Sequence, residues 1–288
     1  MHLTALRPEN PVAMMAAYGA LRLLPGARLR WGGTHPELHW EGDILTALAG
    51  RLPERLTAPE VTALSDPRDK HIGGVAGYRA LAGKIPPDWL SAYAAETAEG
   101  IVGTDLELYG GRHKFVEAAR KIMTALAKCP LQAKIEEALV GPWRYEDAAQ
   151  AWGWDAAARL NAAALPLEAS IAHNPGVLGA YWLAWESVPL WRMVNGHTLG
   201  FARKKGEGWY WHYPTCAEWL SWEGLKALVW GLARMKDSER RALGVRIWSA
   251  PVVETSQFGK ELGLARTPSN RQQPGGSRQG QAYENDAQ

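Results

Sequence analysis

Cysteine, net charge and long apolar runs are all scarce in this 288-residue chain. Cys129 and Cys216 are its only cysteines, too few for a disulfide scaffold or a four-thiolate zinc site. The 32 basic and 30 acidic residues leave a formal net charge of +2, so no global basicity demands nucleic acid. Any phosphate-binding surface must therefore be a local patch. No run of about 18 uncharged apolar residues is present, which argues against a membrane span. Arg7, Glu9 and Arg22 interrupt what would otherwise resemble a secretory leader. These absences predict a reduced, soluble, cytoplasmic protein with no membrane partner.

Familiar catalytic signatures are missing too. There is no Gly-x-x-x-x-Gly-Lys-Ser/Thr phosphate loop, no Gly-x-Ser-x-Gly, no His-Glu-x-x-His and no His-Asp dipeptide. The sequence therefore assigns no catalytic residue, no cofactor and no metal. His35, Glu37, His39 and Glu41 would share one face of a strand, but that pattern also describes an ordinary wet strand face. Asp105 and Glu107 would likewise share a face, a weak nuclease signal.

Tryptophan is abundant. Twelve of the fifteen lie between Trp143 and Trp248, in the C-terminal half. Large rings with one N–H to satisfy favour cores, and also interfaces and base-stacking platforms. Trp209, Trp211, Trp219 and Trp222 are the candidates for a protein interface.

One local plan occurs twice. Around Asn10-Pro11 and again around Asn174-Pro175 the chain reads strand, Asn-Pro, apolar helix, two short strands, helix. In the first copy the strand is His2 to Leu6, with Asn10 as helix cap and Pro11 at the first helical position. A hairpin follows over Arg28–Trp31 and Glu37–Glu41, then a helix capped by Asp43. In the second copy Leu167 to Ala172 is the strand, Asn174 caps the helix, and Thr198–Arg203 pairs with Trp209–Tyr213. Thr215 would cap a long helix to Arg234, and Val245–Val253 would supply a final strand. Helices are expected at Ala58–Leu64, Asp88–Thr97, Lys114–Leu126, Ile135–Val140 and Tyr145–Gln150, with a strand at Asp105–Tyr109.

The order predicts an α+β fold: two ferredoxin-like βαββαβ halves related by an internal repeat, with a helical insert between them. The divisions are 1–109 for the first half, 110–163 for a helical connection and 164–263 for the tryptophan-rich half. Residues 264–288, rich in Gly, Gln, Ser, Asn and Pro, read as a disordered tail.

Two basic stretches are candidate nucleic-acid contacts. Gly110-Gly111-Arg112-His113-Lys114 stands before a helix, where turned-out N–H groups and cations favour an anion. It could equally be a solvated strand-to-helix turn. Arg203-Lys204-Lys205 lies at a hairpin tip beside Trp209 and Trp211, a combination that suits a nucleic-acid backbone. Lysines at a tip also keep a sheet edge soluble.

Four segments in chain order carry a family likeness. They are LTALRPENPVAMMAAYGALRLL with ARLRW; TDLELYGGRHKFVEAAR; AWGWDAAARLNAAAL; and GAYWLAWESVPLW followed by TLGFARKKGEGWYWHYP and FGKELGLARTPSNR. Together they resemble a CRISPR-associated family of type I-G systems, formerly called I-U. This chain has Trp154-Asp155-Ala156 where members often carry Trp-Asp-Pro. The resemblance implies a role in RNA-guided DNA targeting, as an effector-complex subunit or an accessory to the helicase–nuclease. It implies as partners crRNA, target DNA or both, together with other effector subunits. It supplies no catalytic residue. Alternatives are a metal-independent CRISPR-RNA processing endoribonuclease, with His113 or another histidine as general base, and a protein-only adaptor for the helicase–nuclease.

Overall fold

A computed structural model describes residues 1–63, 74–108, 115–148, 152–158, 175–256 and 259–267. Its centre is a pair of helices that are apolar on every side. Helix α1 (Pro11–Leu23) opens on Pro11, whose missing N–H costs nothing at the first helical position. From Pro11 to Leu21 every residue of α1 is buried. A helix without a polar face has to be covered all round. Its counterpart, Leu178–Glu186, is buried along its whole length as well.

The two helices pack directly on each other, and Gly19 is the reason they come so close. A Cβ at Gly19 would overlap the carbonyl of Leu183. On the far side, a Cβ at Gly179 would meet the Lys134 carbonyl on the helix Leu131–Leu139. Arg22 and Glu186, 164 residues apart, form an ion pair. That spacing is also the spacing of Asn10 and Asn174, and of Gly19 and Leu183. Positions 164 residues apart thus face one another at the heart of the molecule.

The two helices begin differently. Asn10 has the extended backbone of a cap (φ −96°, ψ 113°), yet its side chain makes no capping bond. It donates through Nδ2 to Asp155 Oδ1 at 2.8 Å instead. The expected cap at Asn174 lies outside the described residues, and the second helix starts only at Leu178. Pro175–Gly176 forms a strand pair with Asp147–Ala148, and the Asp147 carboxylate accepts the Leu178 N–H at 3.0 Å. A carboxylate remote in sequence supplies the cap.

Around this pair the chain order of helices is α1, α2 (Ile44–Leu56), α3 (Pro59–Thr62), α4 (Gly74–Leu81), α5 (Pro87–Tyr93), α6 (Phe115–Leu126), α7 (Leu131–Leu139), α8 (Leu178–Glu186), α9 (Trp222–Gly231) and α10 (Asp237–Ala242). Asp43 caps α2 as expected, accepting the Leu45 N–H at 3.1 Å. Hairpin β1 (Arg28–Arg30) and β2 (Glu37–His39) also forms as expected. It joins the second half through mutual Leu29–Leu220 backbone bonds of 2.9 Å.

After the short strands β6 (Pro175–Gly176), β7 (Met193–Val194) and β8 (His197–Thr198), the largest sheet contains β9 (Phe201–Lys204), β10 (Gly208–Cys216), β11 (Val245–Ser256) and β12 (Gly259–Leu262). It is antiparallel, in the order β12-β11-β10-β9. The class is α+β, but these strands follow one another as neighbours, unlike the interleaved order expected of a βαββαβ half. Within residues 1–109 the described strands form two separate hairpins, β1–β2, with His2 bridged to Glu37, and a second over residues 94–103, while 167–172 lies outside the described residues.

Several local expectations are corrected. The helix expected over Asp88–Thr97 stops at Tyr93 and becomes β3 (Ala94–Thr97), which turns at Gly100 (φ 118°) into β4 (Gly100–Gly103). Asp105 lies in a turn, not a strand, held by Thr198: its N–H donates to Thr198 Oγ1 at 2.9 Å and its carboxylate accepts the Thr198 N–H at 2.7 Å. Tyr145 takes φ 58°, and Asp147–Ala148 is the strand β5, so no helix forms there. Thr215 stays inside β10, and Ser221 caps α9 by accepting the Gly224 N–H at 3.2 Å. Of the disordered tail expected from 264, residues 264–267 are ordered against β11, and 268–288 lie outside the described residues.

Most tryptophans belong to the core. Trp152 stacks on Trp154 with centroids 4.4 Å apart, and Trp185 lies 5.6 Å from Trp152. Their indoles are satisfied by carbonyls where a bond is made: Trp152 donates to Phe115 O (2.9 Å) and Trp154 to Leu106 O (2.8 Å). No helix among the described residues is long and apolar enough to cross a membrane.

Candidate nucleic-acid interface

Strand alternation divides the β9–β12 sheet into two faces. On β10, Trp211 and Tyr213 point into the core and are fully buried. Tyr210 and His212 point the other way, half-buried. The register adds neighbours to that outer face: Tyr210 pairs with Ala202 and Pro251, His212 with Ser249, and Gly208 with Lys204. After β12 the chain turns back along β11. Gly263 N–H donates to Pro251 O (2.8 Å), and Arg266 exchanges backbone bonds of 2.9 and 3.0 Å with Ser249.

The result is a cleft of about 790 Å³ on the outer face. Tyr210, His212, Ser249 and Pro251 form its floor, Lys204, Arg266 and Thr267 its polar rim, and Ala156, Leu262 and Leu264 its apolar wall. The Tyr210 and His212 rings are nearly parallel (17°), with centroids 6.2 Å apart. His212 Nδ1 and Ser249 Oγ are 2.7 Å apart, which occupies one ring nitrogen. Burial, with the nearby Lys204 charge adding to it, pushes the His212 pKa below its usual value. Both effects favour the neutral ring.

The hairpin tip carries the expected cations. Lys204 Nζ bonds Glu207 at 2.6 Å and lies 5.9 Å from the Tyr210 ring, whose hydroxyl donates to Glu207 at 3.3 Å. Arg203, Lys205 and Arg266 are exposed and have no ion-pair partner among the described residues. The other basic stretch, Gly110, Gly111, Arg112, His113 and Lys114, lies outside the described residues.

The four tryptophans expected at an interface part company. Trp211 is corrected to a core residue: it is fully buried and donates to Leu199 O at 3.2 Å, so it presents nothing to a partner. Trp222 is half-buried against the core. Trp209 is half-buried with its ring 5.3 Å from His197. Only Trp219 is substantially exposed, at 37%. Arg30 lies 4.6 Å over its ring and His39 6.1 Å from it.

Two of the side chains considered for metal chemistry, Glu37 and His35, are otherwise engaged. Glu37 receives two bonds from Arg30, at 2.9 and 3.2 Å, and His35 Nδ1 meets Leu6 O at 3.0 Å. Among the described residues no three His, Cys, Asp or Glu side chains gather as a metal would require.

Sequence reasoning named Lys204 but missed Tyr210, His212, Ser249 and Arg266. The alternation in Trp209-Tyr210-Trp211-His212-Tyr213 already separates Trp211 from Tyr210 and His212, and it would have pointed to the polar set. Ser249 and Arg266 gave no local signal, because only the fold brings them beside His212. No protein-family model matches the sequence, and neither does any curated protein.

Proposed function

We propose that this chain is a non-enzymatic, nucleic-acid-binding subunit of an RNA-guided DNA-targeting complex, of the type I-G CRISPR class its sequence resembles. In this role the outer-face cleft and the Arg203-Lys204-Lys205 tip contact the backbone of crRNA or target DNA, and other surfaces meet neighbouring subunits or the helicase–nuclease. One observation carries the reading: Lys204 and Arg266 flank a cleft floored by the Tyr210 and His212 rings. Cations beside stacked rings suit a nucleic-acid strand, and in guided systems base pairing reads the sequence while the protein reads backbone and shape. A net charge of only +2 is compatible with this, because the cations are concentrated locally. The role places the protein in the cytoplasm. A duplication behind its two halves, each a βαββαβ plan in sequence, is supported by the meeting of equivalent positions on α1 and α8.

The test is titration of labelled repeat RNA and target DNA between 50 and 200 mM salt, ranges over which phosphate-driven binding falls steeply. Affinity should fall as salt rises. Replacing Arg203, Lys204 and Lys205 together by alanine should flatten the slope, by about 0.7 per lost phosphate contact on a single strand. No binding of any nucleic acid at low salt, with a protein partner co-purifying, would replace this reading with the adaptor. The endoribonuclease alternative, with His113 or another histidine as general base, is not favoured by any observation among the described residues, and His113 lies outside them.

A further inference from the structure

We infer that the outer-face cleft is a pocket for unpaired nucleotides, which stack bases on Tyr210 and His212 while Lys204 and Arg266 hold the adjoining phosphates. The inference rests on the nucleic-acid reading above and narrows it from nucleic acid in general to a single-stranded or locally unpaired segment. Three observations converge on it.

The first is the kind of surface at the floor. Tyr210 and His212 offer two near-parallel rings, 6.2 Å apart along one strand, neither of them sunk in the core. A paired base in a duplex has its faces covered by its neighbours and shows only its edges in the grooves. Rings on the floor of a concave cleft can therefore reach a base face only where stacking has been broken, as in recognition of unpaired loops and ends.

The second is the wall. Leu264 is 43% exposed at the lip of the cleft, beside buried Leu262. A base is flat and weakly polar on its faces, so an apolar wall beside an aromatic floor gives it a second surface to cover. A duplex backbone would gain nothing from that leucine. The cleft volume, about 790 Å³, falls within the range of sites that enclose compact ligands, room for roughly one or two nucleotides.

The third is the polar distribution. Lys204 and Arg266 sit on the rim, as they must to hold phosphates while bases point inward. At the floor, one nitrogen of His212 is fixed by Ser249 and the other has no partner among the described residues. Burial and the nearby Lys204 charge favour the neutral ring, whose face and free nitrogen can meet a base without carrying a buried charge into the pocket.

The experiment uses the full chain and two probes of the same length and sequence, a labelled oligouridine-rich single strand and its duplex, at one low salt concentration. The single strand is expected to bind at least ten-fold more tightly. Tyr210→Leu should weaken the single strand by about ten-fold, the scale of one stacked base, and leave the salt slope unchanged. Lys204→Ala should flatten the slope. Because a strand substitution can disturb folding, a second measurement uses the unaltered chain. A single strand carrying 5-iodouridine is irradiated, and the crosslinked peptide is expected to contain Tyr210 or His212. Equal or tighter binding of the duplex, or crosslinks confined to Trp219 or other residues away from the cleft, would overturn the pocket while leaving nucleic-acid binding intact. Failure of both probes to bind would overturn the two readings together.

Discussion

Asp155 sits where distant parts of the chain meet. Its carboxylate accepts Asn10 Nδ2 (2.8 Å), the Tyr181 hydroxyl (3.2 Å), the N–H groups of Ala157 and Ala158 (3.0 and 3.2 Å), and more weakly the Tyr145 hydroxyl (3.4 Å). Burial raises its pKa, and the accepted bonds pull the other way without winning. The folded state therefore holds the Asp155 proton more tightly than the unfolded chain does. The stability this contributes is complete below the unfolded value, about 3.9, and is lost as pH rises through the higher folded value. Asp155→Asn keeps an acceptor for Asn10 and the two N–H groups but cannot ionise. Urea midpoints of the two proteins, compared from acidic to neutral pH, should show wild type losing ground to the variant as pH rises. The reverse slope would mean that the hydrogen bonds outweigh burial. The Trp154-Asp155 pair was legible as a motif. Its bond to Asn10 was not, because cap preference is a local rule and a partner 145 residues away leaves no local trace.

Helices are tied to one another through a second carboxylate, Glu186 of α8, which has no exposed surface. It pairs with Arg22 of α1 and, at 3.0 Å, with Arg55 of α2, and accepts the Trp182 indole N–H at 3.2 Å. Arg55 also pairs with buried Glu60 of α3, and both arginines lie over the Trp89 ring of α5, at 5.1 and 5.6 Å. Glu186→Ala would leave two largely buried guanidinium groups short of a counter-charge, a change that costs about 3–5 kcal/mol. Arg22→Ala alone should cost less, since Arg55 still neutralises Glu186. The double variant should fall well short of the sum, a coupling that urea unfolding of the four-protein cycle measures directly. Additive losses would show that Arg22 contributes packing alone. At this scale periodicity and caps revealed α1, α2, the β1–β2 hairpin and the β9–β10 pairing. They failed where the deciding partner was remote: α8 begins where Asp147 reaches Leu178, and β3–β4 forms from a stretch whose alanines and glutamate read as helix.

The two halves expected from the sequence are joined in the folded molecule. Most of its buried hydrophobic residues form one continuous cluster from Leu3 to Ala265. Backbone bonds cross the division repeatedly: Ala265 N–H donates to Glu9 O (2.7 Å), Leu262 N–H to Gly153 O (2.7 Å) and Lys260 N–H to Leu108 O (3.0 Å). Side chains cross it too, with the Tyr213 hydroxyl donating to Pro8 O at 2.7 Å and the Tyr18 hydroxyl to Pro214 O. The cleft depends on the same joining, since Ala156 in its wall comes from before α8 and Arg266 from after β12. A fragment spanning 164–263 would keep the β9–β12 strands but lose α1, α6 and α7, the helices that cover α8. Tyr181, Trp182 and Trp185 would then be stripped of much of their packing, an apolar loss of several kcal/mol against a total stability of about 5–15 kcal/mol. The fragment is therefore expected to bind a hydrophobic dye, to lose its near-ultraviolet tryptophan dichroism and to show no cooperative melt, while the full chain melts in one transition. A sharp independent melt of the fragment would show instead that the tryptophan-rich half is a domain in its own right, with α1 merely docked on a core that is already complete.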